Sequence, residues 1–81
     1  MVEDKNSALR YLQRALSAAP SDPEVLFRAG LVYNHFNERE QAFAYLKRAA
    51  DAGYSRAVIR DTPDFATLRD DARFRKLLVG N

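Results

Sequence analysis

No cysteine occurs anywhere in the chain. Disulfides and thiolate metal sites are therefore excluded, and the sequence carries no sign of a redox compartment. The only histidine is His35; without a second His or a Cys, a transition-metal site would rest on carboxylates alone, so neither metal nor cofactor is expected. Glycine and proline are scarce, three of each, which leaves room for long helices. No apolar run approaches the roughly 18 residues of a membrane span. The start, Met1-Val2-Glu3-Asp4-Lys5-Asn6, carries early acids and no apolar segment, unlike a signal peptide. A cytoplasmic location is the default expectation unless a longer parent chain bears an export signal.

Charge of one sign is also missing. The isoelectric point of about 9.2 suggests a nucleic-acid binder, but thirteen Lys and Arg are interleaved with eleven Asp and Glu, and no long run of like charge occurs. What is present is an ordinary globular balance, 47% hydrophobic and 30% charged, too apolar for a disordered chain. With 81 residues there is one domain. A domain this small buries only about 60% of its unfolded surface, so thin stability is expected.

The chain repeats itself. Ala8, Tyr11, Leu12, Arg14, Ala15 and Ala18 match Ala42, Tyr45, Leu46, Arg48, Ala49 and Ala52, each pair 34 positions apart. Residues 7–18 and 41–52 thus read as two copies of one amphipathic helix, with Ala42, Tyr45, Leu46 and Ala49 on a single face. The second copy is expected over 38–52, with Asn37 as N-cap, Glu40 completing a capping box and Gly53 as the stop. The first is expected over 3–19, ending at Pro20. Between them, Ser21-Asp22-Pro23-Glu24 spells a helix start, with Ser or Asp as cap and Pro in the first turn. That helix is expected over 23–35 and is apolar around much of its circumference, which places it between neighbours. From Tyr54 the repeat breaks. Pro63 interrupts, and short helices are expected at 55–60, around 64–68 and at 71–79, with Asp70 as a cap. Val58, Ile59, Phe65, Leu68, Phe74, Leu77 and Leu78 give the tail enough apolar surface to fold back.

The middle of the chain, Leu26-x-x-Ala29-Gly30-x-x-Tyr33, then Ala42-x-x-x-Leu46 and Ala49, resembles a tetratricopeptide repeat (TPR), a helix–turn–helix unit of this period. Pro20 matches the closing proline of a preceding repeat; Tyr54 stands where the next would be. The resemblance implies an all-α fold in one domain, 1–81. Residues 1–19 are the second helix of a partial repeat, 23–53 one full TPR hairpin, and 54–81 a helical cap. Gly30 costs about 1 kcal/mol relative to Ala inside a helix, tolerable if the facing helix, through Ala42, approaches closely. The tail, Thr62-Pro63-Asp64-Phe65-x-x-Leu68-Arg69-x-Asp71-Ala72-Arg73-Phe74, resembles segments that close TPR arrays in some bacterial multidomain proteins, although Ala72 stands where a second proline is common.

The resemblance also implies a function: protein–protein recognition, with no catalysis. Its groove would be lined here by Glu24, Phe27, Leu31, Asn34 and His35. The competing expectation is that Phe27 and Leu31 are core under the tail. A chaperone-type carboxylate clamp is disfavoured, because Phe27 and Leu31 stand where Lys and Asn would be needed. The first helix lacks the helix it would pair with in a full repeat, so the expectation is either that the chain is a piece of a longer array or that its face, Ala8, Tyr11, Leu12 and Ala15, is covered by another subunit, such as a two-fold copy. Ser7, Ser17, Ser21 and Ser55 have no base partner in any recognisable arrangement, and there is no Gly-rich phosphate loop, so an enzyme is not expected. Nucleic-acid binding through Arg69, Arg73, Arg75 and Lys76 is a lesser alternative, diluted by Asp70 and Asp71.

Overall fold

A computed structural model describes residues 5–79. Among them the fold is all-α, without strands: α1 (Lys5–Ala18), α2 (Pro23–His35), α3 (Arg39–Asp51), α4 (Arg56–Asp61), a 3₁₀ helix (Pro63–Leu68) and α5 (Ala72–Val79). The expected residues 3 and 4 of the first helix lie outside this range.

Local chemistry sets most boundaries. The Asp22 carboxylate accepts from the Glu24 and Val25 amides at 2.8 and 3.4 Å, and Pro23 occupies the first turn of α2, where its missing N–H costs nothing. Asn37 differs from expectation. It does not cap α3; it ends α2, with φ +63°. Its amide donates to the Asn34 carbonyl at 3.0 Å and the Glu38 amide donates to Tyr33 at 2.8 Å. That is the paired-bond ending that a left-handed residue makes, and asparagine tolerates it best after glycine. No side chain caps α3, and Glu40 reaches away from the turn to Arg73 at 2.6 Å. The end of α3 repeats the α2 motif through Gly53 at φ +108°, with Gly53 donating to Ala50 and Tyr54 to Ala49.

The second correction is at α5. Asp71, not Asp70, supplies the cap: its Oδ1 accepts from the Arg73 amide at 2.9 Å. Hydrogen bonds from the Arg73 side chain and amide hold the Asp71 carboxyl below the usual range. A carboxyl lowered on folding stabilises fully above its unfolded value, and that contribution disappears as pH falls through the folded value. Asp71→Asn keeps an acceptor for the cap but cannot titrate. Its acid-unfolding curve, followed by circular dichroism, should therefore be flatter than that of the parent chain; identical acid limbs would contradict the assignment.

Packing is dominated by the antiparallel α2–α3 hairpin. An ideal Cβ built on Gly30 would lie 2.6 Å from Leu46 Cδ2 and 3.5 Å from the Ala42 carbonyl oxygen. The close approach falls on Leu46 and on the Ala42 backbone, not on a pair of small side chains as the sequence suggests. The tail then folds onto the hairpin. Phe65, Phe74, Ile59 and Leu68 are fully buried in one core with Leu26, Phe27, Phe43, Leu46 and Leu77. Of the tail's apolar residues, Val58 stays exposed and Leu78 half-buried. Ser55 caps α4, and Thr62 Oγ1 donates to the Val58 carbonyl at 2.6 Å, closing it before Pro63.

Candidate partner-binding surfaces

The tail occupies much of the α2 face that the sequence assigns to a groove. The Phe27 ring stacks on Tyr54 with centroids 4.3 Å apart and meets Phe65 edge-on at 6.0 Å. Asn34 Nδ2 donates to the Asp64 carbonyl at 2.8 Å. Phe27 is therefore core, and Asn34 is a tie to the tail. Glu24 stays at the surface and accepts from Arg28 at 2.9 Å, one turn away. His35 is exposed at the helix end, edge-on to Phe36 at 5.0 Å. Leu31 is half-buried: it packs against the core that contains Phe27 and also lines a groove with α1. The five residues do not line one open groove.

The open apolar groove lies between α1 and α2. It has a volume of about 260 Å³ and is lined by Ala8, Tyr11, Leu12 and Ala15 from one side and Val25, Arg28, Leu31 and Val32 from the other. The structure thus brings the whole α1 set to one place. Leu12, however, is only 3% exposed, so it belongs to the packing within the chain. Replacing it with Glu would bury an unpaired charge, and loss of folding would mask any effect on association. Tyr11, 75% exposed, is the residue presented to solvent.

The internal repeat shows what an α1-type face accepts. On α3 the matching residues meet α2: Tyr45 stacks on Tyr33 with rings 5.4 Å apart and nearly parallel, while Ala42, Leu46 and Ala49 are fully buried. Partial burial there, reinforced by Tyr45 and Glu38, raises the Tyr33 pKa above its ordinary value. On α1, Tyr11 has no such stacking partner among the described residues. Val25 and Val32 were missed as groove residues; the signal available for them was that α2 is apolar around much of its circumference.

A second groove, of about 350 Å³, runs between α3 and α5 over Phe43, Ala44 and Leu77. Among the described residues no group of three His, Cys, Asp or Glu is placed to hold a metal, no polar or charged side chain is buried, and no helix is long and apolar enough to cross a membrane. The surfaces offer shape, apolar area and charge. Comparison with family models, curated proteins and solved structures returns no match.

Proposed function

We propose that the chain is a non-catalytic protein-recognition module of the TPR type, whose α1–α2 groove receives a helix of a partner protein. The observation that carries this reading is the internal register. The face of α3 covered by α2 recurs residue for residue on α1, where Tyr11 is left in solvent. The occupant is then a helix with the character of α2: a small residue where Gly30 stands and an aromatic one turn later where Tyr33 stands. The capping role of the tail and the bacterial TPR-array context are part of the same proposal.

A labelled peptide with the α2 sequence is the probe. It should bind the intact chain, and Tyr11→Glu should weaken binding about tenfold or more while leaving helical content unchanged. The same peptide carrying Gly30→Leu should bind no better than a scrambled one. Equal binding of the scrambled and native peptides would sink the reading.

A two-fold dimer through α1 is the second reading, since it would also cover Tyr11. It sets two helices together whose only charges within Lys5–Ala18 are Lys5, Arg10 and Arg14, so mutual repulsion opposes it at low salt. Light scattering separates the two: a dimer gains mass with concentration and with salt, whereas a module awaiting a foreign partner stays at 9.2 kDa.

A further inference from the structure

We propose that the groove between α3 and α5 is a separate docking site, for an acidic peptide segment that carries one apolar anchor. It shares no lining residue with the α1–α2 groove. Its floor is apolar: Phe43 and Leu77 are nearly buried there, and Ala44 is exposed. A leucine-sized side chain has a place to rest over Ala44, beside Leu77.

Charge sets the chemistry of the ligand. Lys47, Arg56, Arg73 and Lys76 line the groove with Glu40 and Asp51, and Asp71 holds Arg73 from beside it at 3.3 Å, four cations against three carboxylates. All three carboxylates are already committed. Glu40 accepts from Arg73 at 2.6 Å, and Asp51 accepts from Lys47 at 3.0 Å with Arg56 at 3.7 Å. Among the described residues Lys76 has no carboxylate partner, and Asp51 is shared by two cations. Incoming carboxylates find a net positive rim without displacing an existing pair. Arg73 is also fixed in place, its guanidinium 4.4 Å from the centre of the Phe43 ring.

The same details favour a peptide over a nucleic acid. A single strand needs a continuous basic track and free aromatic faces for stacking. Here Glu40, Asp51 and Asp71 break the track, and Arg73 covers the one aromatic face on the floor.

The test is fluorescence anisotropy with a labelled peptide of one leucine flanked by glutamates, beside its glutamine counterpart. The glutamate peptide should bind, more weakly as salt rises, and the glutamine peptide should not. Lys76→Glu should weaken binding about tenfold. Ala44→Glu, which places a carboxylate over the floor, should abolish it. Both positions are exposed, so the helical signal should be retained; if Lys76→Glu loses it, Ala44→Glu on α3 decides alone. Failure of the intact chain to bind, binding indifferent to both substitutions, or an oligonucleotide that binds as tightly and competes would each overturn the proposal.

Discussion

Phe65→Ala is expected to cost about 3–5 kcal/mol, because the ring is fully buried and truncation leaves a cavity that packed neighbours cannot fill. The side chain meets Phe27 edge-on and Phe74 at a tilt, both with centroids 6.0 Å apart. It is the point where the tail is fastened to the hairpin, and its loss exposes the Phe27–Tyr54 stack as well. Small domains hold only about 5–15 kcal/mol in total, so the variant should melt at least about 12 °C lower or fail to fold. Urea denaturation of parent and variant reads the difference. A loss below about 1 kcal/mol would mean that the tail contributes little to the fold and that Phe27 is not held under it.

Gly30→Ala is the second large effect, and its sign runs against helix propensity. In an isolated helix the change gains about 1 kcal/mol. Here the new Cβ would stand 2.6 Å from Leu46 Cδ2 and 2.7 Å from Cγ. Cγ is a branch atom, not a flexible tip, and Leu46 is fully buried, so the two helices must separate or Leu46 must leave its rotamer. Overpacking of this kind costs about 1–3 kcal/mol, a net destabilisation. A double-mutant cycle makes the cause specific. Leu46→Ala alone should cost about 2–5 kcal/mol. In the Gly30→Ala background it should cost less, by roughly 1 kcal/mol or more, since the clash is relieved. Strict additivity would place the strain elsewhere.

Much of the helical order was legible in the residues, and the misses have physical causes. The bounds of α2 follow from Asp22-Pro23, a cap and a first-turn proline that leave little latitude. Asn37 was misread because an asparagine between two helices suits both the start of one and the left-handed end of the other. The hydrogen bonds to Asn34 and Tyr33 decide between them, and they depend on backbone geometry that sequence does not carry. Asp70 and Asp71 are adjacent, so a shift of one residue separates a cap from a loop carbonyl; Asp70 contributes its backbone oxygen to Arg75. Phe27 and Asn34 fell into the groove set because the face of α2 was readable but its occupant was not. The tail reaches that face only through tertiary packing of Phe65 and Asp64. Leu12 was placed at an outer interface although its repeat mate Leu46 is core; burial against α2 needs only the near half of the α1 face. The α3–α5 groove could not be read at all, because its two walls meet only after the tail folds back.

On the proposed function, the α1 face and α2 form a groove that receives a helix like α2. Nuclear magnetic resonance titration of the labelled chain with the α2-sequence peptide tests it most directly. Saturable shifts are expected at Ala8, Tyr11, Ala15, Leu31 and Val32, lost in the Tyr11→Glu variant, with the α3–α5 groove undisturbed. Absence of shifts, or shifts centred on the tail or on the α3–α5 groove, would contradict it.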